Sequence, residues 1–150
     1  MQDDLPDGVT LRRLGPDDVE TLLAVRPGLF DAPVDPRQAR AFLDSPLCEI
    51  VVAEAGGDIL SFASGTVLLH PDKPPALFVN EVGTRDGWTR RGLARAVTWA
   101  LIERGREIGC EGAWLGTEPD NAAALALYRS LGGEERGIVG FAWDGAFDDG

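Results

Sequence analysis

Histidine occurs once in this chain, as His70, and cysteine twice, as Cys48 and Cys110. That scarcity excludes much chemistry. A zinc site built from Cys and His needs more ligands than these and a spacing such as CxxC, which is absent, so no metal is expected. Two cysteines do not make a disulfide framework. Ser-His-Asp or Cys-His nucleophilic catalysis would rest on His70 alone, and His70 sits between an apolar run and Pro71, where it reads as the end of a strand. No apolar run approaches the roughly 18–20 residues that span a bilayer. The opening Met1-Gln2-Asp3-Asp4 is acidic where a signal peptide would be basic, so a cytoplasmic location is expected. Positive charge is also short. Lys and Arg number 14 against 25 Asp and Glu, a net of −11, which argues against nucleic acid and anionic membranes as partners and permits cationic ones.

What is present is an ordinary globular composition, 44 % apolar and 26 % charged over 150 residues. That length suits one domain covering residues 1–150, with a core large enough to need no staples. The charge is unevenly spread. Arg85, Arg90, Arg91, Arg95, Arg104 and Arg106 stand among only two acids, Asp86 and Glu103, so a basic island lies in an acidic chain. Such a pattern suits an anion site apart from a cation site; acidic surfaces also serve solubility.

Along the chain, residues 9–14 alternate as a first strand, and Gly15-Pro16-Asp17-Asp18 opens a helix through about Val25. A second helix is expected over 35–44, after a stretch broken by Pro27, Gly28, Pro33 and Pro36. Residues 48–55 and 59–69 read as a hairpin around Gly56-Gly57-Asp58. A further strand spans 76–84, a helix about 91–108, and a short buried strand 112–116. Ala94, Val97, Leu101 and Ile108 mark the apolar face of the long helix, against which Gly105 costs about 1 kcal/mol. Asp120 or Asn121 caps a helix ending at Leu131, and residues 138–143 are expected to close the chain as a last strand. The fold class is a mixed α/β (α+β) domain with one sheet.

Two segments carry chemistry. Thr89-Arg90-Arg91-Gly92-Leu93-Ala94 leaves a strand and opens a helix. Small residues there let a ligand approach the backbone, and the unpaired first-turn amides with the helix dipole suit phosphate. An ordinary basic helix start is the other reading. Neither the Walker lysine pattern nor GxGxxG is present. The second segment runs Glu118-Pro119-Asp120-Asn121 into an alanine-rich helix ending Leu127-Tyr128-Arg129-Ser130-Leu131-Gly132. Ala124, Leu127, Tyr128 and Leu131 share a helical stripe. Tyr128 therefore faces the interior or a cleft, either as a core tyrosine with a satisfied hydroxyl or as a functional one.

Together, in this order, the segments resemble the GNAT superfamily of N-acetyltransferases. The first resembles its Q/R-x-x-G-x-G/A acetyl-CoA loop, with Thr89 where the family usually has Gln or Arg. The second resembles its asparagine-and-tyrosine helix ending L-Y-x-x-L-G. The resemblance implies a central, mostly antiparallel sheet splayed at the acetyl-CoA site and flanked by about four helices. It also implies that backbone amides of Arg90, Arg91, Gly92, Leu93, Ala94 and Arg95 hold the pyrophosphate. Val82, Gly83 and Thr84 would pair with the pantetheine arm, and Asn121, with Ala124, would contact it. Tyr128 would donate a proton to, or hydrogen-bond, the leaving thiolate. Transfer would be direct attack by an amine, which agrees with the missing nucleophile set.

Such attack needs a neutral amine and hence a base or water relay. Glu81 is the candidate, on the expectation that Leu77, Val79, Glu81 and Gly83 share one strand face and set its carboxylate in an apolar row; the alternative is an acid that only attracts a cation. The run Leu77-Phe78-Val79-Asn80-Glu81-Val82, with Leu69-His70-Pro71 and Pro74-Pro75 before it, also resembles the aminoglycoside 3-N-acetyltransferases of this superfamily, as does the ending from Glu134-Glu135 to Phe141-Ala142-Trp143-Asp144. That family usually has Asp at the Glu81 position. The resemblance implies a cationic aminoglycoside acceptor, acetylated at its 3-amino group, with which the acidic balance of the chain agrees. Asp31, Glu118 and Asp144 are candidate amine-binding acids, the alternative for each being a solvated surface residue. A polyamine, another small amine or a protein amine stay open as acceptors, as does a non-catalytic acyl-CoA-binding module. A homodimer is permitted, since many relatives pair.

Overall fold

The computed structural model describes residues 5–145 and 147. Five strands form one sheet in chain order, β1 (Thr10–Arg13), β2 (Cys48–Ala55), β3 (Asp58–Leu68), β4 (Ala76–Thr84) and β5 (Ala113–Trp114). β1 to β4 are antiparallel neighbours, whereas β5 is parallel to β4. A parallel neighbour requires a crossover. That crossover is α3 (Leu93–Glu107). The other α-helices are α1 (Val19–Leu23), α2 (Pro36–Asp44) and α4 (Ala122–Ser130).

The sheet is covered on both faces. Val51, Ala53, Ala63, Leu77 and Val79 pack with Leu93, Val97 and Leu101 of α3. Ile50, Val52, Ile59 and Phe62 pack with Val19 and Leu22 of α1 and with Ala39 and Leu43 of α2. The alternation in Ile50-Val51-Val52-Ala53 is thus divided between two cores, as a strand with both faces buried requires. Local chemistry sets the helix starts. Asp35 accepts from the Gln38 amide at 3.0 Å with Pro36 opening α2, and Asn121 Oδ1 accepts from the Ala124 amide at 3.1 Å to open α4. A buried carboxylate, Glu49 of β2, receives Arg13 Nε at 3.0 Å and Arg104 Nε at 3.2 Å, tying α3 to the sheet.

Four expectations are corrected. The expected helix after Gly15 is a 3-10 turn (Pro16–Asp18) followed by the short α1. The long helix begins at Leu93 rather than Arg91, leaving both loop arginines outside it. The strand expected over 112–116 is only Ala113–Trp114, and it is exposed rather than buried. Residues 138–143 form no strand. Their side chains are exposed, Phe141 at 80 %, so the segment lacks the burial that rewards a strand. His70 does lie just past the end of β3.

Candidate active site

β4 is interrupted where the site forms. Ser64 pairs with Glu81 but Gly65 pairs with Val79, so Asn80 is the extra residue of a bulge. A bulge reverses which side chains face which side beyond it. Leu77 and Val79 lie in the α3-side core and Val82 joins them, while Gly83 turns to Phe62 on the opposite face. Glu81, paired across from Ser64, turns with Gly83. The expected common face for Leu77, Val79, Glu81 and Gly83 is therefore corrected, because a period of two cannot reveal an inserted residue. Glu81 is exposed and does not sit in an apolar row. The bulged Asn80 side-chain amide donates to Thr66 Oγ1 at 2.9 Å.

Past Phe78, β5 no longer pairs with β4, so the outer edge of β4 from Val79 onward opens into a cleft. That cleft holds a cavity of about 220 Å³, lined among others by Glu81, Val82, Leu115, Asn121, Ala124 and Tyr128. Tyr128 is half-buried, and loss of water pushes its phenol above its ordinary pKa. Its hydroxyl is therefore a neutral proton donor throughout the neutral range. On the other side of β4 lies a second cavity of about 200 Å³, lined by Leu29, Phe30, Asp31, Phe62, Glu81, Val82 and Gly83. Glu81 and Val82 line both. Asp31 therefore joins Glu81 at one cavity. Glu118 and Asp144 are exposed and line neither.

Beyond the cleft, β4 passes through Thr84 into the loop that opens α3. Gly83 and Thr84 are held from β3, where Ser61 Oγ donates to the Gly83 carbonyl at 2.9 Å and stands 2.9 Å from Thr84 Oγ1. Arg90 (φ 61°) and Gly92 (φ 84°) are both left-handed. Gly92 stands at the N-cap of α3 and, having no side chain, makes no side-chain cap of its own. An arginine held at positive φ is strained, and such strain clusters at ligand loops. Left-handed positions leading into the first turn of a helix fit a phosphate or pyrophosphate, and so fit CoA.

The side chains of the basic island divide. Thr89 and Arg90 are exposed, and Arg91 stacks over Trp88 at 4.3 Å. Arg104 pairs with Glu49 and Glu107, and Arg106 with Glu103. Arg95 Nη2 donates to the Ser130 carbonyl at 3.1 Å, joining the first turn of α3 to the end of the helix that carries Tyr128. Arg85 is buried. Of the six basic residues of the island, only Arg90 and Arg91 thus remain at the loop without a carboxylate or carbonyl partner among the described residues. Sequence reasoning missed the Arg95–Ser130 tie, the Phe30–Phe62 pair (centroids 4.3 Å apart) and the burial of Arg85. An arginine directly after a strand carries no periodic signal that distinguishes burial from exposure.

Among the described residues no group of three or more His, Cys, Asp or Glu side chains could hold a metal ion, and no helix is long and apolar enough to cross a membrane.

Comparison with known proteins agrees with this geometry. The acetyltransferase (GNAT) family model matches residues 19–132. The chain is 32 % identical over 139 residues to a mycothiol acetyltransferase of Nocardia farcinica, covering 85 % of this chain and 46 % of that protein. It is 31 % identical over 134 residues to the N-alpha-acetyltransferase RimI of Mycobacterium tuberculosis, covering 87 % and 81 %. The chain spans less than half the length of the mycothiol acetyltransferases it matches. The structure of aminoglycoside N-acetyltransferase AAC(6')-Iy in complex with CoA shares the fold, with a TM-score of 0.75 at 21 % identity over 91 % of this chain and 94 % of that one. The chain belongs to the acetyltransferase (GNAT) family.

Proposed function

We propose that this chain is an acetyl-CoA-dependent N-acetyltransferase for a small, positively charged primary amine, acting by direct attack, with an aminoglycoside as the acceptor. The observation that carries the reading is that Glu81 and Val82 line two cavities on opposite sides of β4. One would take the thioester arm and the other the amine, so that the two meet at the bulge. Acetyl-CoA supplies the activated acyl group when bound. The loop amides of residues 90–95 hold its pyrophosphate, the outer edge of β4 (Val82, Gly83, Thr84) pairs with its arm, and Asn121 and Ala124 flank that arm.

The chain's own groups then handle the protons. The amine attacks the acetyl carbon and the carbon–sulfur bond breaks. Glu81 takes the proton shed by the amine, directly or through water, and the Tyr128 hydroxyl protonates the departing sulfur. Asp31 and Glu81 supply negative charge to a cationic acceptor, while Phe30, Phe62 and Leu29 offer it an apolar wall. A second acceptor reading, that of the mycothiol acetyltransferases, is favoured by the 32 % identity to the Nocardia protein.

The test is release of CoA thiol from acetyl-CoA by the purified protein across gentamicin, kanamycin, spermidine, a mixed peptide pool and the acceptor of the mycothiol acetyltransferases. Release with the aminoglycosides supports the first acceptor. Release only with another amine keeps the reaction and replaces the acceptor. Binding of acetyl-CoA with no release to any of them would oppose an enzyme and favour an acyl-CoA-binding module.

A further inference from the structure

Arg85 is a buried charge that the proposed chemistry leaves unused. It follows β4 directly and is 8 % exposed. Its Nε donates to the Ile59 carbonyl at 3.3 Å, Nη1 to the Pro27 carbonyl at 2.8 Å and Nη2 to the Arg26 carbonyl at 3.0 Å. Its amide donates to the Leu60 carbonyl at 2.8 Å. Burying a cation is costly unless it is hydrogen-bonded and near opposite charge. Three carbonyls and the field of Asp58 offset that cost here. The Asp58 carboxylate is held below its ordinary pKa, first by its hydrogen bond from Arg26 and in smaller part by the charge of Arg85.

The arrangement is specific to a guanidinium. Its planar fork reaches three convergent carbonyls, whereas a lysine ammonium is a single point. What those carbonyls share is their place. Ile59 belongs to β3, and Arg26 and Pro27 open the connection that runs into Leu29, Phe30 and Asp31, one wall of the amine-side cavity. Farther along, that wall is held by the stacking of Phe30 on Phe62. Arg85 is therefore the polar anchor at the root of the wall, and the aromatic pair is the apolar one at its tip.

We propose that Arg85 is a positioning residue that fixes the 26–31 wall against β4 and so sets where, and how tightly, the acceptor amine is held, without touching it. This rests on reading that cavity as the acceptor subsite. A purely structural arginine would instead weaken every property of the protein together.

The test compares Arg85→Lys and Arg85→Met with wild type in three readouts: amide hydrogen exchange, acetyl-CoA affinity, and KM and kcat for the panel amine that turns over fastest. Exchange over residues 24–34 should rise by about tenfold while that of β2 and α3 is unchanged. Acceptor KM should rise by about tenfold or more with acetyl-CoA affinity within twofold, and Arg85→Lys should fall between wild type and Arg85→Met. An acceptor KM within twofold of wild type, or equal losses toward acetyl-CoA and amine, overturns the proposal. Unchanged exchange over 24–34 overturns the anchor itself, whatever the activity. Wild-type protein that transfers to no amine removes the enzymatic reading and the amine-positioning claim with it; the exchange result then still decides whether Arg85 holds the loop.

Discussion

Gly105 lies in the last turn of α3 and invites replacement by alanine, which in an exposed helix interior would stabilise by about 1 kcal/mol. The packing opposes that gain. A Cβ at Gly105 would stand 3.0 Å from Leu77 Cδ2 and 3.3 Å from Leu77 Cβ. Leu77 is fully buried, and its Cβ can move only with the backbone of β4. Overpacking of this kind costs about 1–3 kcal/mol. Crowding against Leu77 outweighs the helical gain, so Gly105→Ala should lower stability by about 1 kcal/mol net. Urea unfolding followed by the fluorescence of Trp88 and Trp99 measures it. A Leu77→Val background removes the Cδ contact, and there the same substitution should cost at least about 1 kcal/mol less. Gly105→Ala that raises the stability of the otherwise unaltered protein by about 1 kcal/mol would refute the reasoning, because α3 would then not be pressed against Leu77.

Three further outcomes follow from particular contacts. Glu81→Gln should flatten the rise of turnover with pH, and a profile identical to wild type would oppose Glu81 as proton acceptor. Glu49→Gln removes the negative charge that Arg13 and Arg104 share and should lower stability in urea by about 1–3 kcal/mol; an unchanged midpoint would mean that α3 is held by its apolar face alone. Asp18 is held below its ordinary carboxylate pKa, first by the Gly15 amide and then by Arg12. Its stabilisation is thus complete above the unfolded value of 3.8 and is lost as pH falls through the lower folded value. Asp18→Asn should therefore lose less stability between about pH 5 and pH 2 than the parent protein, and an equal loss would show that the Gly15 contact does not form.

The strands 48–55 and 76–84 were legible in sequence to the residue, because each is a dense apolar run bounded by turn chemistry. The start of the helix at Asp35 was legible too, and the cap of the last helix was narrowed to Asp120 or Asn121, of which Asn121 is the one that caps. The cavity beside Glu81 was legible only as residue identity. That Glu81 faces the Leu29–Phe30–Asp31 wall depends on a bulge at Asn80, and a bulge depends on the partner strand, which alternation within one strand does not contain. Arg85 was counted with the rest of the basic island because burial of a charge is decided by backbone carbonyls supplied from residues 26, 27 and 59. The strand expected over 138–143 does not form, since local sequence does not show whether a segment docks on the sheet. Gly105, which lowers helix propensity, is explained by Leu77 beneath it.

The most direct test of the account is turnover of Tyr128→Phe at saturating acetyl-CoA, set beside its acetyl-CoA affinity. The substitution deletes only the hydroxyl that is proposed to protonate the departing sulfur. The account predicts a fall in kcat of about 10²–10⁴-fold with acetyl-CoA affinity within twofold of wild type. Turnover equal to wild type would contradict the role of Tyr128 and with it the assignment of the β4–β5 cleft as the place where acetyl transfer occurs.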